Sequence, residues 1–122
     1  MKSRFLQSDG SMDYTPSVNV AAGDIIVVGG VVGHAAYPIK AGELGSLAIT
    51  GLVRVNKANV AIAAGAPVYW NPTGNPQGGT VGTGAVTTAA AGGVFMGWAT
   101  ASVTAVDETA IVRLGWMPPA AA

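Results

Sequence analysis

The sequence has no cysteine, little charge and no long apolar run. The absence of cysteine excludes disulfide bridges and thiolate metal sites. Charged residues make up 10% of the 122 residues, and six basic residues balance six acidic ones, so the formal net charge is zero. Because proteins that bind phosphates present a basic face, this balance argues against nucleic acid as a partner.

The apolar segments are too short for a membrane protein. The longest one, 25–33, falls well below the roughly 20 residues that a helix needs to cross a bilayer. The N-terminus has a basic start but lacks the apolar core of a signal peptide. We therefore predict a cytosolic protein with no membrane anchor. A surface so poor in charge limits the solubility of a monomer, so we also expect an oligomer or a large partner.

Glycine and proline, by contrast, are frequent, with 18 and 7 residues. Such punctuation favours many turns and short strands over helices. The β-branched runs that flank Gly29-Gly30 predict a tight hairpin, because glycine reaches the positive φ of hairpin turns. The pattern predicts an all-β fold, a small partly open β-barrel or sandwich of short antiparallel strands. Gly51, between two predicted strands, predicts a bulge or sharp bend.

The pair Ala-Gly precedes a predicted strand at Gly23, Gly42 and Gly65. The intervals between these glycines are unequal, which favours recurring turn chemistry over a true repeat.

Three segments differ in composition: an extended N-terminal arm (1–15), a β domain (16–115) and a C-terminal tail (116–122). The arm is rich in charge, including Lys2 and Arg4, and carries the isolated apolar pair Phe5-Leu6. We expect it to add a strand to its own barrel or to a neighbour. The alternative is a frayed terminus. The tail cannot continue a ladder beyond Pro118-Pro119.

The large aromatic residues are candidates for an interface. They are Tyr69, Trp70, Trp98 and Trp116. Adjacent residues of a strand face opposite sides, so one of Tyr69 and Trp70 lines the core and the other is exposed unless another chain covers it. An exposed tryptophan is typical of an interface anchor, and core packing is the alternative for each.

Residues that could support catalysis or metal binding are sparse. His34 is the only histidine, and no pattern supplies the nucleophile and orienting carboxylate that a catalytic base needs. Asp107-Glu108 could bind a hard cation, but Ca²⁺ takes six or more oxygen ligands and a carboxylate pair in a turn usually faces water. We therefore predict no enzyme, no metal and no cofactor. A pocket holding His34 and a carboxylate would favour an enzyme instead.

Several turn-and-strand motifs, in their order along the chain, resemble one family. The motifs are 20–29, 39–45 with 47–53, 65–70, 96–99 and 110–114. This order is similar to that of the phage capsid decoration or cement proteins, some of which are labelled RecA/RadA-like recombinases.

The resemblance implies a structural protein on the outer surface of the virion, made in the cytoplasm of the host bacterium. It would bind the major capsid protein and itself, as a homotrimer or, second, a dimer. In this interpretation Lys2, Arg4, Phe5 and Leu6 contact a capsid subunit or an adjacent protomer. A binding module of a phage fibre, recognising a receptor or carbohydrate, is the alternative. A groove of exposed aromatic side chains beside polar ones would favour it.

The recombinase label predicts ATP chemistry that the residues do not support. A P-loop needs Gly-Lys-Ser/Thr, and none of the 18 glycines is followed by lysine. Purified protein is therefore expected to show neither ATP hydrolysis nor DNA strand exchange. Phosphate release from ATP measures the first activity directly. ATP turnover that is abolished by a point substitution in this chain would contradict the expectation.

Overall fold

Nine short strands make up the regular structure of the protein. The computed structural model describes residue 2 and residues 10–115, and this part of the chain contains no helix. The strands are β1 Ser11–Tyr14, β2 Ile25–Val28, β3 Val31–His34, β4 Gly45–Ala48, β5 Gly51–Asn56, β6 Pro67–Asn71, β7 Ala85–Thr87, β8 Val94–Ala99 and β9 Thr109–Leu114. They form a four-stranded sheet in the order β1-β4-β3-β2 and a five-stranded sheet in the order β5-β9-β8-β6-β7. All strand pairs are antiparallel.

The predicted all-β class is confirmed. The two sheets do not close into a barrel, so the observed architecture is the sandwich. No helix of the described residues is long and apolar enough to cross a membrane.

The predicted hairpin is present as β2 and β3. Val28 pairs with Val31 across a two-residue turn in which Gly29 has a φ of 59°. Gly30 does not share this positive φ. Positive φ at the first central position alone is the pattern of a type II′ turn, whereas a type I′ turn requires it at both. The predicted bend at Gly51 is also confirmed: its φ is 101°, and the chain passes there from the four-stranded sheet to β5 in the other.

The two sheets repeat one another. If β7 is left aside, β1-β4-β3-β2 and β5-β9-β8-β6 follow the same order. The registers also correspond: the pair Ile26–Gly33 matches the pair Val68–Gly97. Outside the strands, the bridge between Val20 and Ile39 matches that between Ile62 and Val103. The chain therefore consists of two equivalent halves, β1–β4 and β5–β9.

The turns before β2 and β6 carry the same hydrogen bonds. The amide of Gly23 donates to the Ala35 carbonyl at 2.7 Å, and the amide of Gly65 donates to the Ala99 carbonyl at 2.7 Å. The prediction that no true repeat is present is wrong. The Ala-Gly pairs at Gly23 and Gly65 are equivalent, but the third glycine, Gly42, corresponds to Val106 in the second half. The three glycines therefore do not mark three repeats, and the intervals between them are unequal. The insertion 71–93 separates the equivalent strands further.

The bridge formed by Val20 and Ile39 packs on one face of the four-stranded sheet, and the bridge formed by Ile62 and Val103 packs on one face of the five-stranded sheet. We call this face of each sheet its front and the opposite face its back. The front of the four-stranded sheet forms the smaller core around Leu47, with Val20 and Ile39 packed on it. The front of the five-stranded sheet forms the larger core, which contains Ile62. The back of the four-stranded sheet, through residues such as Val32, packs into that same larger core. The sheets are thus stacked back on front, like two copies facing the same way.

Two equivalent glycines permit close approach within these layers. A Cβ on Gly97 would overlap the carbonyl oxygen of Arg113, which belongs to the backbone of the neighbouring strand. A Cβ on Gly33 would lie 2.9 Å from the Cβ of Leu47, which moves only with its own strand. A Cβ on Gly30 would meet no atom within 4 Å.

Alanine substitutions at these three glycines are expected to differ in cost. Gly97→Ala should lower the free energy of unfolding by about 3 kcal/mol because backbone must move. Gly33→Ala should cost about 2 kcal/mol, because β4 must shift slightly. Gly30→Ala, the matched control, should change it by less than about 0.5 kcal/mol. Urea unfolding of the three variants measures the order, and equal costs for Gly97→Ala and Gly30→Ala would contradict it.

Candidate functional site

An aromatic row lies on the back of the five-stranded sheet. The ring centroids of Tyr69 and Phe95 are 5.8 Å apart, and those of Phe95 and Trp98 are 5.6 Å apart. The interplanar angles of 71° and 73° are edge-to-face arrangements, which the quadrupoles of aromatic rings favour. Tyr69 and Trp98 remain partly accessible to solvent. We call this surface, with its neighbours on the same side of the sheet, the aromatic face.

The neighbours of the row give the aromatic face the composition of an interface. Trp98 pairs with Arg113, and Arg113 pairs in turn with Leu52, whose side chain is 58% exposed. The next rung contains Arg54 and Ile111. Tryptophan, tyrosine and arginine are the residue types enriched at binding hot spots. Of the described surfaces, this face best fits a partner.

A β-bulge is what brings Phe95 and Trp98 to the same side. They are three residues apart and would face opposite sides of a regular strand. Val68 pairs with Gly97 but Tyr69 pairs with Phe95, so Met96 is an extra residue on β8. Such bulges re-aim side chains next to functional sites.

The predicted alternation of Tyr69 and Trp70 is observed, but only Tyr69 joins the aromatic face. Trp70 is 7% exposed and belongs to the larger core rather than to the aromatic face. Trp98 lies on the aromatic face, half-buried. The fourth predicted aromatic residue, Trp116, lies outside the described residues, as does the rest of the tail.

The predicted arm is described only in part. Lys2 is exposed and belongs to no strand, whereas Arg4, Phe5 and Leu6 lie outside the described residues. The end of the arm forms β1 and pairs with β4 of the same chain. Of the two expectations for the arm, a strand added to its own domain or to a neighbour, β1 is the first.

His34 and Asp24 are used in local structure. His34 is half-buried and pairs with Ile25 and Ala48 in the sheet. The carboxylate of Asp24 accepts a hydrogen bond from the Ala21 amide at 2.9 Å, which closes the turn before β2. In the part of the chain that the structure describes, no three His, Asp or Glu side chains are grouped so that they could hold a metal ion.

Two open cavities lie elsewhere on the domain. One, of about 440 Å³, lies between the halves and includes Asp24, Arg54 and Trp70. The other, of about 460 Å³, is lined by small and amide side chains such as Asn59 and Asn71. Neither has His34 among its described lining residues. The second has no aromatic residue in its described lining, so it lacks the pairing of aromatic and polar groups expected of a carbohydrate groove.

Lys57 is the one fully buried charged residue of the described chain. Its Nζ donates hydrogen bonds to the carbonyl oxygens of Ala105 at 3.2 Å and Asp107 at 3.0 Å. Its backbone amide donates to the Glu108 carbonyl, and its own carbonyl accepts from Gln77. Lys57 therefore ties the end of β5 to the turn before β9 and to the insertion 71–93.

Burial sets the proton affinity of Lys57. Desolvation lowers the pKa of its ammonium group below the ordinary value, while the nearby Asp107 carboxylate acts in the opposite direction. The sequence interpretation did not single out this residue. The alternation of β5 was the available signal, because Lys57 follows Val53 and Val55 at a spacing of two, on the side that faces the core.

The fold and the surface together define a class of protein. It is a two-sheet domain whose apolar, arginine-bordered face has the composition of a binding surface.

A match to a protein family narrows this class. The family model described as phage cement protein matches residues 6–114, and the chain belongs to that family. The resemblance predicted from the motifs is thereby confirmed. The family is structural rather than enzymatic, and it implies a cement role in the capsid of the virion. No curated protein and no solved structure matches the chain.

The buried lysine predicts a pH dependence of stability. Between the lowered pKa of folded Lys57 and the ordinary value of 10.5, the unfolded chain binds more protons, so the free energy of unfolding rises with pH. Relative to Lys57→Met, the wild type should gain at most about 1.4 kcal/mol per pH unit on approaching that value.

Urea unfolding from about pH 7 to pH 10 measures this difference, in which groups common to both proteins cancel. Lys40→Met removes an exposed lysine and controls for the loss of one positive charge. A difference between the wild type and Lys57→Met that stays flat with pH would contradict the prediction.

Proposed function

We propose that this protein decorates the phage head. It binds the outer surface of the icosahedral capsid, bridges neighbouring major capsid subunits and stabilises the shell against internal pressure. Membership of the cement protein family is the observation that carries the proposal. The aromatic face supports it, because half-buried Tyr69 and Trp98 beside Arg113 are residue types enriched at interfaces.

The mechanism is mechanical. A stable protein interface buries on the order of 1,600 Å², and a subunit that contacts two capsid proteins adds such area across a joint. Opening the joint then requires that this area be exposed to water again. Attachment of one oligomer at several points adds avidity without any new kind of contact.

The proposal includes a homotrimer, with a dimer as the second possibility, and no enzymatic activity. The protein is made in the cytoplasm of the host bacterium and joins the virion from there. The aromatic face, through Tyr69 and Trp98, serves as an interface with capsid or protomer.

The arm is proposed as a further contact. Lys2 and Arg4 would pair with acidic groups, while Phe5 and Leu6 would fill an apolar pocket. Gly10 belongs to the hydrogen-bonded part of the first sheet, because its carbonyl accepts a hydrogen bond from the Ile49 amide at 2.7 Å. The residues before Gly10 are therefore those to remove in a test.

Deletion of Met1–Asp9 is expected to leave the sandwich folded and to weaken binding to expanded phage heads at least tenfold. The deletion spares β1 and the bond to Gly10, so thermal unfolding should change little. Sedimentation of the protein with heads measures binding, and heat resistance of the decorated heads measures stabilisation.

Two point variants locate the effect within the arm. Phe5→Ser combined with Leu6→Ser should reproduce most of the loss, whereas Gln7→Ser, the matched control, should not. If the deleted protein binds heads with unchanged affinity, the arm is not a contact. If the full-length protein fails to bind heads, the decoration function itself is wrong.

A further inference from the structure

Equivalent front positions of the two halves differ in how well they are covered. The equivalent pairs are Ile26 and Val68, Val28 and Trp70, and Tyr14 and Val55. In the second half these side chains are buried, with 0%, 7% and 4% of their surface exposed. In the first half all three are only half-buried. The same fold position is therefore closed in one half and partly open in the other.

The cause of the difference is the first sheet itself. Its back residues Ile25, Val27 and Val32 pack on the front of the second half. The corresponding back positions of the second half hold Pro67, Tyr69 and Phe95, which belong to the aromatic face. Within the described chain, no third sheet packs on this face.

The molecule thus ends in two unmatched surfaces. One is the front of the four-stranded sheet, formed by Met12, Tyr14, Ile26 and Val28. The other is the aromatic face on the back of the five-stranded sheet. Inside the chain, the back of the four-stranded sheet packs on the front of the five-stranded sheet. The two remaining surfaces are likewise one front and one back, so they could pack on each other in the same way.

We propose that a second copy of this chain covers them. The aromatic face of one protomer packs on the front of the four-stranded sheet of the next and repeats the junction between the halves. Both surfaces are largely apolar, and the flexible thioether of Met12 fits irregular gaps and makes favourable contacts with aromatic rings. Burial of the half-exposed aromatic rings supplies the driving force.

Such a contact is heterologous, because each protomer contributes a different surface to it. Heterologous contacts produce closed rings when the rotation between copies closes, and open chains when it does not. A ring of three is one closed solution and agrees with the proposed trimer. The inference rests on the self-association part of the proposed function and needs no capsid.

The test uses one substitution on each surface. Trp98→Asp places a charge on the aromatic face, and Val28→Asp places one on the opposite front. Each variant alone should be monomeric by light scattering, near 12.1 kDa. An equimolar mixture should form a dimer and nothing larger, because only one intact front and one intact back remain to meet. Val81→Asp, on a residue that is 77% exposed in a loop, is the control and should keep the wild-type mass.

The results that would overturn the proposal are equally specific. They are a wild type that stays monomeric at high concentration, a single variant that keeps the wild-type mass, or a mixture that stays monomeric. The second result would indicate a twofold contact between identical surfaces, because the variant substituted outside that contact would still associate. Tyr69→Asp and Ile26→Asp form a second pair, and circular dichroism selects the variants that retain the strand signal. Binding to heads is measured separately, so a failure there with complementation intact would refute decoration and leave this contact standing.

Discussion

The stacking of one sheet on the other, back on front, is the contact on which the rest of the molecule depends. Neither sheet can bury both of its faces alone, and the larger core exists only because Val32 and its neighbours cover the second sheet. Within the second sheet, glycine is needed at Gly97 because the backbone of the paired strand β9 leaves no room for a Cβ. The aromatic face is the outer surface of the sheet that this contact supports.

Several features could be predicted from the sequence because they depend on local chemistry. The hairpin follows from β-branched runs around Gly29-Gly30, and the opposite orientation of Tyr69 and Trp70 follows from strand geometry. The bend at Gly51 follows from the conformational freedom of glycine. These predictions required no knowledge of which strands pair.

The remaining features depend on pairing and were not predicted. Phe95 and Trp98 share a face only because β8 carries one more residue than β6 at that point, which no single-strand pattern reveals. The repeat escaped detection because the two halves share turn geometry more than residue identity. Lys57 looked like an ordinary surface residue at the end of a strand, although its spacing from Val53 and Val55 placed it on the inner side.

The insertion 71–93 shows that the fold accepts connections of very different length at one position. In the first half, two residues join β2 to β3; at the equivalent place in the second half, more than twenty residues and a whole strand separate β6 from β8. The pairing on either side is nevertheless the same in both halves. The pairing of these strands does not depend on the length of the connection between them. The Gly29-Gly30 turn is therefore a suitable place to insert a foreign peptide for display.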